Sequence, residues 1–361
     1  MEGLDTAEIV IKWYTPILLL VGAVLSFADP ITDILMLVEF YRTDHKTWFC
    51  VGLTFVLLPC LAFPLLYLGA WREKLSQYSG KRKSWETLLC GFHPFSVAFS
   101  RLQGFVYCLT KWWREEDEVD EEEPARYALE YSDMAAVFES VLEAAPQLII
   151  QVYAISAQNQ EVEDIQLISL FVSLFSLAWA FTIVDKILYE RVVNDDNQPL
   201  SLKGRVFFFI GQFFSLGTRI GAILYFTMFY KWWIVVFMLS HTVVMLTVDI
   251  ILCCANNSDC KCELGISVKA VMFCCLFWLR DDVLLQQVVR EDFDQTSLRK
   301  LQKFCSVLFV LENTGMMLPW LLDEKSGENT VQLVLSVISL LLYVMFHVWV
   351  RFKLWSCVYD N

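Results

Sequence analysis

Charge is scarce in this chain. Asp, Glu, Lys and Arg make up 19% of its 361 residues, against roughly 25% in a soluble domain. Basic charge is the scarcer kind, with 28 Lys and Arg against 41 Asp and Glu, a net of −13. That excludes a nucleic-acid-binding face, which needs a basic surface. Residues 1–14 lack a basic stretch followed by an apolar run and a small-residue cleavage site, so a cleaved signal peptide is not expected. The 12 Cys are spread over a long chain, several inside apolar runs, which excludes a secreted disulfide scaffold. No G-x-x-x-x-G-K-[ST] phosphate loop is present; Gly80-Lys81 lacks both the earlier glycine and the Ser or Thr. There is no TVGYG run, no H-E-x-x-H and no G-x-S-x-G, and the four His are scattered. Enzymatic activity, nucleotide-driven pumping, a metal and a cofactor are therefore not expected.

What is abundant is apolar sequence, at 57% of residues. Ten apolar elements are read at 15–41, 47–70, 87–109, 131–156, 164–190, 204–229, 232–254, 265–288, 298–322 and 329–356. Crossing a ~30 Å hydrocarbon core takes roughly 20 residues in a helix, and eight elements are read as full crossings. The third carries Pro94 and Arg101, and the eighth is short and runs into charge. Both are read as re-entrant or half-spanning segments, which need protein or water to satisfy their backbone. The fold class expected is an all-α polytopic membrane protein with eight transmembrane helices, two such segments and two internal repeats.

The basic residues orient it. With the N-terminus in the cytosol, cytosolic loops hold Arg72, Lys74, Lys81, Arg82, Lys83, Lys111, Arg114, Arg126, Lys186, Arg191, Lys203 and Arg205. External loops hold Arg42, Lys46, Lys231 and Lys325. That bias matches the positive-inside rule and puts both termini in the cytosol. Trp13, Trp48, Trp71, Trp112, Trp113, Trp232, Trp233 and Trp355 fall near element ends, as an aromatic belt requires. A glycan on Asn256 would overturn the orientation. The domains read as a cytosolic N-terminus 1–14, a membrane repeat 15–190 with an acidic cytosolic loop at 110–130, a linker 191–203, a membrane repeat 204–356 and a tail 357–361.

The repeat rests on paired motifs. Val137-Phe138-Glu139 before Pro146-Gln147-Leu148 is like Val310-Leu311-Glu312 before Pro319-Trp320-Leu321, with Glu and Pro seven apart in both. Ser26, Ile34 and Phe40-Tyr41 match Ser215, Ile223 and Phe229-Tyr230. Repeats with broken segments in matching places are a transporter-like signature. Chance likeness between apolar helices is the bland alternative.

The most informative charges lie where lipid should be. An ionisable group at the bilayer centre costs ~2.5–3.5 kcal/mol on insertion scales. Asp29 and Asp33 share a helix face, with Pro30 between them expected to bend the helix. Glu139 and Glu143 repeat the spacing just ahead of Pro146. Arg101, Asp185, Arg219, Asp249 and Glu312 also fall within elements. For each alone, a buried ion pair is as good a reading as function, with Arg219 answering Asp29 and Asp33. As a set, two bases cannot neutralise seven acids. Some acids are then protonated, or face water or a polar ligand, and a polar track is the simplest account.

The run Phe138 to Tyr153, with its Glu139-x-x-x-Glu143-x-x-Pro146-Gln147-Leu148 core, resembles a motif of the XK-related family. Thr218-Arg219-Ile220, the later Lys231-Trp232, Val310-Leu311-Glu312-Asn313 and the acids Asp29 and Asp33 resemble further family motifs, in order along nearly the whole chain. The resemblance implies eight membrane helices with two partly inserted segments in two repeats. It implies ATP-independent exchange of phospholipids between leaflets, with phosphatidylserine exposure at the plasma membrane during apoptosis. It carries Asp29, Asp33, Glu139, Glu143, Arg219 and Glu312 over as a buried lipid path, with Asp185 and Arg101 beside them and Pro146, Gln147 and Pro319 as helix breaks and motif positions. Several family members are activated when a caspase removes a terminal tail. Here the sequence stops at Asn361, shortly after the last apolar element, so that route is not expected. The acidic loop instead contains Asp117-Glu118-Val119-Asp120, a tetrapeptide of the kind effector caspases cut, although Glu121 after it fits poorly. A solvated or docking loop is the alternative. Cys253, Cys254, Cys260 and Cys262 at the inner membrane edge are candidate palmitoylation sites or idle thiols. Expected partners are membrane phospholipids, and as candidates an effector caspase, a single-span chaperone subunit or a lipid-transfer protein. The competing function is a non-transporting partner subunit or docking protein. A small-solute transporter fits the repeat but has no solute site in the sequence.

Overall fold

The computed structural model describes residues 12–70, 95–114, 163–192, 200–230 and 307–319, most of 132–157, and single positions within 233–244 and 338–345. Among the described residues all regular structure is helical. The helices are α1 (Thr15–Arg42), α2 (Lys46–Ala70), α3 (Phe95–Arg114), a π-turn (Ser140–Ala144) leading into α4 (Ala145–Ala157), α5 (Asp164–Val192) and α6 (Leu202–Tyr230). A shorter apolar helix runs Val307–Pro319. Three helices among the described residues are long and apolar enough to cross a membrane: Thr15–Arg42, Asp164–Lys186 and Leu202–Tyr230. At 1.5 Å per residue, the 28 residues of α1 reach about 42 Å, more than a ~30 Å core. Asp117 to Asp120, Asn256 and the cysteines 253, 254, 260 and 262 lie outside the described residues.

α1 shows why the protein belongs in a membrane. It opens with Pro16 in the first turn, where a missing N–H costs nothing. It then turns its polar side chains inward and its apolar ones outward. Ser26, Asp29, Thr32 and Asp33 are buried, while Ile17, Val24, Ile31, Leu35 and Val38 are exposed, Val24 to 58%. In water that arrangement would be upside down; lipid makes it favourable. α5 repeats it, exposing Leu167, Ile168 and Phe171 and burying Gln166, Ser169 and Ser173. The helix of α1 continues through Pro30.

The chain divides into two compact units, Met1–Val184 and Asp185–Asn361, with the division inside α5. In the first unit a tight turn folds α2 back on α1. His45 N–H donates to Phe40 O at 2.9 Å, and Asp44 takes the left-handed φ of 61° that the reversal needs. Met36, Leu37 and Phe40 of α1 pack with Val56 of α2 and Ala154 of α4, with Trp48 edge-on to Phe40 at 5.7 Å. α3 packs along α1 through Phe27 against Phe95 and Phe99. The third element was expected at 87–109. Its described residues are helical from Phe95 to Arg114, so Lys111 is helical.

Candidate functional site

The centre of the first unit is built from α1, α3, the π-turn, α4 and α5. Asp29 sits at the midpoint of α1, one turn from Asp33, and both are at most 2% exposed. The wide turn Ser140–Ala144 precedes Pro146, which has no N–H to give and crowds the carbonyl four residues back. A wider turn accommodates that conflict, and the N–H of Ala145 bonds to Ser140 O. Glu139 and Glu143 flank and occupy this turn, 5% and 1% exposed. Both are close enough to Asp29 and Asp33 to interact electrostatically. Asp29, Asp33, Glu139 and Glu143 therefore form one buried acidic cluster.

Asp33 is well held. Gln151 Nε2 donates to its Oδ1 at 2.9 Å, and the hydroxyls of Ser169 and Ser173 approach the same oxygen at 3.3 Å. The other acids are held less fully, although the hydroxyls of Ser173 and Ser176 bond Asp29. Among the described residues Glu143 has no hydrogen-bond partner on either carboxylate oxygen, and Asp29 Oδ1, Asp33 Oδ2 and Glu139 Oε1 have none. Arg101 of α3 lies near Glu139, yet its guanidinium is engaged elsewhere. Nη1 donates to Gly22 O at 2.7 Å and Ser26 Oγ at 2.9 Å. Arg101, a buried cation of the first unit, thus donates to the backbone and hydroxyl of α1 while Asp133 and Glu139 attract it from a distance.

Two glycines make these contacts possible. A Cβ on Gly22 would stand 2.8 Å from Arg101 Nη1 and 3.1 Å from its Cδ. Gly52 lets Gln147 Nε2 reach the Gly52 carbonyl at 2.7 Å, where a Cβ would meet Leu37 Cδ2 at 2.6 Å. Gly22→Ala is expected to destabilise by about 1–3 kcal/mol through overpacking. Gly211→Ala, whose Cβ would meet nothing within 4 Å, is the control and is expected to be neutral or slightly stabilising. Thermal unfolding of both variants in detergent checks this; equal midpoints would refute the close approach of Arg101.

The second unit treats its charges differently. Arg219 is 1% exposed. Its Nη2 donates to Glu312 Oε2 at 3.1 Å and its Nη1 to Asn313 Oδ1 at 2.8 Å. Glu312 Oε1 lies 2.7 Å from His241 Nδ1. The guanidinium stacks 4.5 Å above the Phe309 ring, with Phe237 at 5.8 Å. A buried ion pair is the alternative the sequence leaves open for Arg219, and the pair the structure shows is with Glu312. Asp185 accepts from Gln212 Nε2 at 2.6 Å. Pro319 is the last described residue of the Val307–Pro319 helix. Among the described residues no group of three or more His, Cys, Asp or Glu is arranged to hold a metal ion.

The family model described as XK-related protein matches residues 17–350. The chain belongs to the XK-related family. It is similar to XK-related protein 8 of Gasterosteus aculeatus, 23% identical over 235 residues, which is 62% of this chain and 56% of that protein. It is similar also to XK-related protein 8 of Tetraodon nigroviridis, 24% identical over 226 residues, 59% of this chain and 53% of that protein. The chain spans about half the length of the curated relatives it matches. Within this XK-related chain the Pro146-Gln147-Leu148 motif has a packing role. Gln147 ties α4 to the Gly52 carbonyl of α2, and Leu148 is 1% exposed. Gln151, Ser169, Ser173, Gln212, His241 and Asn313 also belong to the two charged centres, and the sequence reading assigned none of them a site role. One signal was available: Gln166, Ser169, Ser173 and Ser176 form a polar stripe at helical spacing on the otherwise apolar α5.

Proposed function

We propose that this XK-related protein is an ATP-independent phospholipid scramblase. On this reading eight membrane helices and two partly inserted segments form two repeats in the plasma membrane, with both termini cytosolic. The observation that carries the proposal is the acid cluster at mid-helix depth in the first unit, with carboxylate oxygens that have no hydrogen-bond partner among the described residues. A fold that buries such groups loses stability for them. They make sense where a polar headgroup passes, because a fixed charge there replaces part of the headgroup's hydration while the acyl tails stay in lipid. Such a path lowers a barrier without supplying energy, so no nucleotide site is required.

Arg219 and Glu312 enter the proposal in a narrower role. Their side chains are committed to each other, to Asn313 and to His241, and we assign them to holding the second unit together. That commitment also favours the second reading, a non-transporting partner subunit or docking protein in which every buried charge is internal glue. The two separate in liposomes reconstituted with purified protein and fluorescent phospholipid, with and without effector caspase. The scramblase reading expects exchange above protein-free liposomes without ATP. If cleavage in the Asp117–Asp120 loop is the trigger, exchange appears only in the caspase arm. Exchange at the protein-free rate in both arms, with capture of a stable partner, selects the second reading.

A further inference from the structure

The unsatisfied atoms at the centre of the first unit are almost all of one kind. Among the described residues Asp29 Oδ1, Asp33 Oδ2, Glu139 Oε1, both Glu143 oxygens and Gln151 Oε1 are buried acceptors without a partner. Against them stands one unused donor, Arg101 Nη2. Gln151 is the telling member, because it is neutral. It is fully buried, and its Nε2 donates to Asp33 Oδ1 at 2.9 Å. Turning the amide over would set oxygen against oxygen, so Asp33 fixes its orientation. The free carbonyl oxygen is left among the acids. Apart from Arg101 the cluster is short of donors and positive charge among the described residues.

Resting on the scramblase reading, we infer that this cluster discriminates between headgroups and favours those carrying a primary ammonium, as in ethanolamine and serine phospholipids, over quaternary choline. A primary ammonium brings three N–H donors to the carboxylates and the Gln151 oxygen. A trimethylammonium brings the same charge and no donor. The phosphate of the same headgroup complements Arg101 Nη2, so both poles of the zwitterion are matched. Asp29 lies at the midpoint of α1, where a crossing headgroup is farthest from both interfaces. Bonds made at that point act on the top of the barrier and so change the rate. The cluster is closed to bulk water in this conformation, which strengthens each charge-assisted bond and requires local opening for entry.

The test uses full-length protein in liposomes and phospholipids labelled on the acyl chain, so that the amine stays free. Headgroups run from ethanolamine through its N-monomethyl and N-dimethyl forms to choline, with serine alongside. The exchange rate is expected to fall stepwise with methylation, by about tenfold in all, with serine ranking beside ethanolamine. Glu143→Gln is expected to bring the ethanolamine-to-choline ratio towards one. Equal rates across the wild-type series overturn the selectivity while leaving the scramblase reading standing. Inhibition by dissolved ethanolamine with no ranking of headgroups would overturn the lipid assignment in favour of a soluble amine. Exchange of no headgroup above protein-free liposomes overturns the scramblase reading and this inference with it.

Discussion

Replacing Asp29 and Glu143 together with alanine is expected to slow lipid exchange at least about tenfold and leave thermal stability unchanged or higher. The two halves of that expectation have separate grounds. A hydrogen bond to a charged group nets about 1.5–3 kcal/mol, and 1.4 kcal/mol is a factor of ten. Removing two such groups from the middle of a path therefore costs at least one decade in rate. Stability runs the other way because Glu143 makes no hydrogen bond among the described residues and Asp29 Oδ1 makes none. Truncating them breaks no bond to Glu143 and removes buried charge, which offsets the loss of the Ser173 and Ser176 bonds to Asp29 and the small voids left behind. Asp33→Ala is the contrasting variant. It strands Gln151, Ser169 and Ser173, which share one oxygen of Asp33, and is expected to lower stability by about 1–3 kcal/mol. Exchange rates in liposomes and melting midpoints in detergent, measured on both variants, read this out. If the Asp29/Glu143 variant exchanges at the wild-type rate, or melts as early as Asp33→Ala, the acids are structural and the path lies elsewhere.

That contrast marks what was legible in the sequence. Acids inside apolar runs stand out, because charge at bilayer depth is costly wherever it falls, so Asp29, Asp33, Glu139 and Glu143 could be picked out from the sequence. The bounds of α1, α5 and α6 were also close, since they follow from long apolar runs. What could not be read was who answers whom. Gln151 reaches Asp33 across 118 positions and Arg219 reaches Asn313 across 94. Charge counting leaves the partner of Arg219 open, and the structure meets it with a neutral Asn and a Glu far along the chain. Gly22 and Gly52 carry no signal in hydropathy, yet each sets how closely a long polar side chain can approach. The π-turn is equally silent in composition. It arises from the demand that Pro146 makes on the turn before it, and that demand has several local solutions. The α5 serine stripe was visible and undervalued, since serine weighs little on a hydropathy scale while its hydroxyl is a full donor.

Arg219→Ala is expected to have the largest effect on stability of any single change considered, a loss of about 3–5 kcal/mol. Arg219 is the largest fully buried side chain among the described residues, and it holds three groups at once. Its loss removes two charge-assisted bonds and a cation stacked on Phe309. It leaves Asn313 Oδ1 without its donor and Glu312 with His241 alone. The penalty comes chiefly from the charge left behind, and that makes the prediction specific. Removing both members of a buried pair in favour of apolar residues of like volume is often neutral. Arg219→Met combined with Glu312→Leu is therefore expected to recover most of the midpoint lost in Arg219→Ala, as read by thermal unfolding in detergent. The same double variant also separates the two units by function. If the pair only holds the second unit together, the recovered protein exchanges lipid near the wild-type rate. A protein that is stable again but inert would put Arg219 and Glu312 back on the lipid path, and the second unit would then share the transport task with the acid cluster of the first.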